Sequence, residues 1–344
     1  MCGGCESRVR REASQYRMSK SAAGGRVGSG WTVAQIHSQA GRRALVTGAN
    51  SGIGYYTALE LARSGAHVLL ACRDRAKGEA ALGRLRAETV DASAELVLLD
   101  LASLDSVRAV AATESEHGLP LDLLINNAGV MAPKRRMQTA DGFELQFGTN
   151  VLGHFALTAL LLPALERAAA SQAQRPRVVT VSSIAHKQGR LDFDDLQSTQ
   201  SYSSMRAYRQ SKLANLMIAF ELDRRLRGAG PPASAVMSVA AHPGIASTNI
   251  FRVGPFHPVE QVARRWIGAA IAAVLNSGAE GALPTLFAAT APAAVDGGYY
   301  GPQGFEEMRG GDVGPAHVAA PALDRASAAR LWGECERLTG TAVL

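Results

Sequence analysis

From residue 43 onward, short runs rich in valine, isoleucine and leucine alternate with longer segments of helical period. RALVTG (43–48), AHVLLACR (66–73), AELVLLDL (94–101), LDLLINNAG (121–129), RVVTVSS (177–183) and SAVMSVAAHPG (234–244) read as strands, with a short seventh near GGYYG (297–301). Helical patterns fill the intervals: GYYTALELARSGA (54–66), RAKGEAALGRLRAE (75–88), the long apolar GTNVLGHFALTALLLPALERAAA (148–170) and the segment that opens with YRQSK (208–212). Two more follow, VARRWIGAAIAAVL (262–275) and a last one holding Leu331 and Trp332. Strands this apolar are covered on both faces, which alternation with helices achieves in a parallel sheet. No internal repeat or linker divides the body. The expected fold is therefore α/β, a single doubly wound Rossmann domain over residues 41–344, with a seven-stranded, mostly parallel sheet and helices on both faces.

In such sheets ligands sit outside the carboxyl ends of the strands. Here the strands end in TG, CR, D, NNAG, SS and HPG, so glycines and polar groups gather on one edge. TGANSGIG (47–54) joins the first strand to the first helix, and Gly48, Gly52 and Gly54 would let the backbone turn tightly and approach a pyrophosphate. Asn50, Ser51 and Ile53 belong to the same loop. The second strand closes on Arg73, a residue suited to a ribose 2′-phosphate, although the neighbouring Asp74 is the residue type that grips ribose hydroxyls. NADP(H) is the preferred cofactor on this reading and NAD(H) the alternative. Asp100 and Leu101 close the third strand; Asp100 could accept from an adenine amino group or cap the next helix.

Tyr208 and Lys212 lie one turn apart on a helix that is otherwise apolar. A lysine there would lower the phenol's pKa and make it an acid or base usable near neutral pH. The plainer alternative is an interfacial tyrosine beside a snorkelling lysine. Ser182 and Ser183 could bond backbone at the strand end, and Asn150 could be a helix cap. Tyr202 is a rival tyrosine without a lysine one turn on. His186 and His242 have no carboxylate or cysteine at ligand spacing, so no metal site is expected.

The net charge of +6 belongs to a tail. Residues 1–43 hold eight Lys/Arg and two Asp/Glu, and the remaining 28 basic and 28 acidic residues cancel. A neutral body argues against nucleic-acid binding. Four cysteines in a chain of 344 residues form no disulfide framework, which suits a reducing, cytoplasmic setting. Residues 1–40 read as a basic, disordered N-terminal extension, with an organelle transit peptide as the other reading. No apolar run reaches the ~18 to 20 residues needed to span a bilayer, so no transmembrane anchor is expected.

TGANSGIG, NNAG (126–129), Asn150, VSS (181–183), YRQSK and HPG (242–244), in this order, resemble the short-chain dehydrogenase/reductase family. LACRD, the VSSIAH…SKLANL block and YYGPQG are similar to its retinol dehydrogenase-like branch. The resemblance implies a catalytic set of Asn150, Ser183, Tyr208 and Lys212. Tyr208 would be the acid/base, Lys212 would also hold the nicotinamide ribose, Ser183 would bond the substrate oxygen, and Asn150 would hold helix backbone and a relay water. Asn127, Ala128 and Gly129 would line the middle of the cofactor; Pro243, Gly244 and Thr248 would meet its nicotinamide end. Ser183 and Tyr208 stand 25 positions apart, and the intervening insertion reads as a loop rimming the substrate pocket. Residues 245–266 would form another wall, where Ile250, Phe251 and Phe256 suggest an apolar substrate. The partner would be a small-molecule alcohol or carbonyl compound, and the resemblance also implies a homodimer or tetramer. The competing function is a catalytically weak dinucleotide-binding sensor on the same fold.

Overall fold

The computed structural model describes residues 30–171, 174–245 and 276–344. β1 (Arg43–Thr47), β2 (His67–Cys72), β3 (Ala94–Leu98), β4 (Leu123–Asn126), β5 (Arg177–Val181), β6 (Met237–Ala241), β7 (Tyr299–Pro302) and β8 (Val313–Pro315) form one sheet in the order β3-β2-β1-β4-β5-β6-β7-β8. β1 to β7 are mutually parallel, and β8 pairs antiparallel with β7. The sheet therefore has eight strands where seven are legible in the sequence. The eighth is three residues long and contains Gly314 and Pro315, so it has no alternation to read; proline is tolerated there because the strand lies on the sheet edge. The chain order reverses between β1 and β4, and the carboxyl ends of β1 to β6 share one edge.

The helices are α1 (Gly52–Arg63), α2 (Arg75–Glu88), α3 (Leu104–His117), α4 (Leu145–Ser171), α5 (Ser204–Ala229), α6 (Gly278–Thr290) and α7 (Arg325–Thr339). Strand side chains alternate between two cores. Leu45, Leu69, Leu124 and Val178 point to the layer built by α3, α4, α5 and α7. Ala44, Val46, Leu70, Ile125 and Val179 point to the layer of α1, α2 and α6. This period of two on a doubly covered sheet is why the central strands β1, β4, β5 and β6 are buried along nearly their whole length.

The packed body starts before residue 41. Trp31 is buried and meets Phe287 of α6 edge-on at 5.4 Å, and Gln39 N–H donates to Ser64 O at 2.7 Å. α4, at 27 residues, is long and apolar enough by composition to cross a membrane, unlike the shorter runs visible in the sequence. Its apolar window is 83% buried inside the protein, the burial of a core helix. The helix proposed for 262–275, together with Thr248, Ile250, Phe251 and Phe256, lies outside the described residues.

α7 seals the outer side of α4 and α5 with Trp332, which lies 4.9 Å from Phe155 edge-on and beneath the Arg225 guanidinium at 4.6 Å. Trp332→Ala removes a ring that is 1% exposed and should destabilise the fold by about 3–5 kcal/mol, measured by urea unfolding.

Candidate active site

The loop after β1 begins with two glycines in the left-handed region, Gly48 at φ 68° and Gly52 at φ 56°. Gly52 opens α1, whose free N–H groups face the crevice edge. At Gly54 a side chain would overlap the Gly48 carbonyl and the Asn127 amide, so the turn closes only around a bare α-carbon. Asn50, Ser51 and Ile53 are half-buried along this turn. Asn127 caps it from β4, donating from Nδ2 to Thr47 O at 2.7 Å.

Thr47, overlooked as a separate feature of the motif, is the hub behind this turn. Its Oγ1 accepts from the N–H groups of Asn127 and Ala128, both at 2.9 Å, and lies 2.9 Å from His154 Nε2. His154 Nδ1 is 3.0 Å from Asn150 O, which can only accept, so the ring carries its hydrogen on Nδ1. Burial pushes the imidazole down to about 4, leaving it neutral at pH 7 with Nε2 free to accept from the threonine hydroxyl. Sequence reasoning missed His154 because a histidine in an apolar helix has no spacing signal of its own.

Asn150 sits where α4 widens into a π-helical turn, Gly148–Leu152. Its Oδ1 accepts from Val130 N–H at 2.8 Å, and its Nδ2 donates to Val130 O and to Ser211 Oγ, both at 3.0 Å. It is thus a bracket between helix and loop, not a helix cap. The readable signal lay in its flanking glycines. A side chain at Gly148 would overlap Thr139, and one at Gly153 would overlap the Leu101 carbonyl.

Ser211 passes the bracket on to α5 by donating to Tyr208 O at 2.8 Å. Ser182 Oγ donates to Lys212 O at 2.7 Å, and Lys212 Nζ donates to Val181 O at 2.9 Å, which ties the same turn to β5. Tyr208 and Lys212 are 7% and 3% exposed, so neither is an interfacial or snorkelling side chain. The Ser183 hydroxyl faces the Tyr208 phenol as a hydrogen-bonding neighbour, while Ser183 Oγ accepts from Ala185 N at 3.2 Å. Gly129 closes the cluster: a side chain there would stand 3.3 Å from Asn150 Oδ1 and 3.7 Å from Lys212 Nζ. The missing Cβ leaves a cradle between the ammonium, the bracket and the glycine turn.

The electrostatics differ from the expectation that Lys212 pulls the phenol down. Burial raises the Tyr208 pKa, and the hydrogen bond from Ser183 opposes the rise. Lys212 itself is lowered by burial to about 8, and its ammonium stands 6.0 Å from the centre of the phenol ring. Desolvation thus acts on both groups, in the direction that disfavours each charged form.

Arg73 is exposed at the end of β2. Asp74 caps α2 by accepting from Lys77 N–H at 3.1 Å and pairs with Lys77 Nζ at 3.2 Å. Asp100 folds back to accept from Ala102 N–H at 2.9 Å, and Ser103 caps α3 in its place. Leu101 is buried in the core beside Gly153. Gly244, at φ 68°, turns the chain after β6, with Pro243 half-buried beside it. Tyr202 accepts from Gln146 Nε2 at 3.3 Å, outside the Tyr208 cluster. Arg190 and Phe193 of the insertion before α5, Arg206 and Arg209 of α5 and Arg330 of α7 line a cavity of about 630 Å³, but neither Ser183 nor Tyr208 borders it. The insertion's place on a substrate rim thus finds no support in this cavity. Among the described residues no group of three metal-binding side chains occurs.

A family model described as short chain dehydrogenase matches residues 42–253. The chain belongs to the short chain dehydrogenase family. It is 42% identical to human retinol dehydrogenase 13 over 303 residues, covering 87% of this chain and 85% of that protein. A solved structure of an uncharacterized protein from Mycobacterium paratuberculosis is similar with a TM-score of 0.72 and 41% identity, over 92% of this chain and all 100% of that one. The NADP active-site complex of Pseudomonas aeruginosa RhlG is similar with a TM-score of 0.57 and 26% identity, over 76% of this chain and 94% of that one. The chain is accordingly an NAD(P)-dependent short-chain dehydrogenase/reductase acting on alcohol or carbonyl groups.

The titration of Lys212 gives a direct test of its burial. Between about pH 8 and 10.5 Lys212 holds its proton in the unfolded chain and not in the folded protein, so the contribution of this one group to stability should rise with pH in that window. The slope should approach about 1.4 kcal/mol per pH unit. Above pH 10 the raised Tyr208 opposes it, because the folded phenol keeps a proton that the unfolded one sheds. The buried thiols of Cys72 and Cys335, both pushed up by burial, act in the opposite sense from about pH 9, so the test is a difference: from pH 8 to 9.5 the urea midpoint of the wild type should gain on that of Lys212→Met by one proton's worth of slope.

Proposed function

We propose that this dehydrogenase exchanges a hydride between NADP(H) and the alcohol or carbonyl carbon of an apolar substrate, with Tyr208 as the acid/base. The convergence of Tyr208, Ser183, Lys212 and Asn150 beside the bare α-carbon of Gly129 carries the reading. The cradle suits a dinucleotide: Gly48, Gly52 and Gly54 let the turn close tightly so that the head of α1 is offered to a diphosphate, and Gly129 leaves room beside the lysine. Asn50, Ser51, Ile53, Asn127 and Ala128 would line its central part, Asp100 and Leu101 its adenine side, Pro243 and Gly244 its nicotinamide end.

The bound cofactor supplies or accepts the hydride, and the protein aligns and handles the proton. In the reducing direction Ser183 donates a hydrogen bond to the carbonyl oxygen as negative charge develops there. Tyr208 gives its phenolic proton to that oxygen. In the oxidising direction the same phenol, as phenolate, takes the alcohol proton. A buried phenol that resists ionisation is a poor resting base but a well-protonated donor. Lys212 would hold the ribose and balance the phenolate when it forms. Asn150 keeps the Tyr208 turn in register through Ser211.

The NADP preference is supported by the way β2 ends. Asp74 is engaged by its own helix and by Lys77, which leaves the Arg73 guanidinium as the group offered to a ribose phosphate. The RhlG complex contains the same cofactor. An apolar substrate agrees with the name of the retinol dehydrogenase relative, and a cytoplasmic setting rests only on cysteine usage, with Cys72 and Cys335 both free and buried.

Consumption of NADPH with a panel of apolar aldehydes should show turnover in the wild type. Tyr208→Phe should lower kcat by about 10²- to 10⁴-fold, and near-normal turnover would remove the phenol from the proposed role. Arg73→Ala should weaken NADPH by about 10- to 100-fold with little change for NADH, measured as the ratio of the two KM values.

A further inference from the structure

The loop between β7 and β8 is fastened to the active-site edge in a way that the proton chemistry does not explain. Glu306 and Glu307 stand at φ 51° and 57°, a conformation that L residues rarely hold without outside support. Glu307 has that support. Its Oε2 accepts from Lys187 Nζ at 2.9 Å, and its Oε1 accepts from His317 N–H. Lys187 closes the short helical turn Ile184–Gln188 that Ser183 caps.

The same carboxylate faces the loop that follows β6, the strand beside β5. His242 follows β6 and is completely buried, over a slot in β7 where any side chain on Gly301 would overlap its ring. His242 Nδ1 accepts from Gly244 N–H at 3.2 Å, which places the ring hydrogen on Nε2. Among the described residues Nε2 has no hydrogen-bond partner, and it lies 3.5 Å from Glu307 Oε2, an electrostatic contact. One residue on, Met308 O accepts from Ile245 N at 2.7 Å and fills the space beside Gly244. Burial would raise the Glu307 carboxyl, but His242, Lys187 and the His317 N–H hold it at about 2, so it stays ionised.

We infer that Glu307 is a positioning residue: by bridging Lys187 and His242 it sets the separation between the Ser183 segment and the Pro243–Gly244 turn, and so the width of the slot for the nicotinamide. The inference rests on the proposed dinucleotide site. Glu307 reaches no reacting atom; its effect passes through the two segments it joins. Removing its charge should therefore disturb the nicotinamide end of the site and spare the adenine end, which lies across β1 and β2.

Wild type, Glu307→Gln and Lys187→Gln are titrated with NADPH and with 2′-phospho-ADP-ribose, which has no nicotinamide. In both variants the NADPH Kd should rise about tenfold, with the fragment unchanged within about twofold. The double variant should be no worse than either single one, since both break one bridge. Equal weakening of both ligands, or no weakening of NADPH, overturns the inference while wild-type binding and turnover still stand. If Glu307→Gln does not fold, Lys187→Gln alone decides it on the same readout. A wild-type protein that binds neither ligand overturns the proposed function, and this inference with it.

Discussion

The active-site edge hangs on the side-chain amide of Asn150. A widened turn near the start of a core helix leaves backbone groups out of register, and the neighbouring loop after β4 has an N–H and a C=O of its own to satisfy. Asn150 answers the loop with one amide, taking Val130 N–H and giving to Val130 O, and still has a hydrogen for Ser211. No other side chain of that size offers an acceptor and two donors in one plane. Aspartate could not donate, and leucine would orphan every group.

From that bracket the order spreads in two directions. Through Ser211 it reaches the first turns of α5, which Ser182 and Val181 also tie to β5, so Tyr208 and Lys212 are held from both sides of the sheet edge. Through the Asn150 carbonyl it reaches His154 and then Thr47, the residue that receives the Asn127 and Ala128 N–H groups. The glycine turn and the Tyr208 helix are thereby parts of one hydrogen-bonded assembly, although their residues lie more than 150 positions apart in the chain. The imidazole in its middle serves as a neutral spacer because burial keeps it unprotonated.

What could be read from the sequence was whatever depends on local pattern. Seven strands announced themselves because both faces of the sheet are covered and their residues are uniformly apolar; β8 did not, because three residues ending in Gly-Pro have no pattern. The Tyr208–Lys212 pair was visible since helical spacing alone brings them together, and Arg73 since it closes a strand. The sign of the Tyr208 shift is not legible, because spacing shows the neighbouring lysine and not the burial that raises the phenol. Thr47 and His154 were invisible for the same reason, each being meaningful only as the other's partner. Trp31 was assigned to a tail because one aromatic residue in a polar stretch does not reveal that Phe287 awaits it.

The central claim is that the phenol, serine and ammonium surround the place where a hydride changes hands. The most direct measurement is a single turnover with NADPH deuterated on one face of nicotinamide C4, then with the opposite isomer, and an apolar aldehyde. The account predicts that one isomer, and only one, delivers a single deuterium to the carbinol carbon of the product alcohol. Product formed without label from either isomer, or cofactor bound with no transfer to any carbonyl compound, would contradict it.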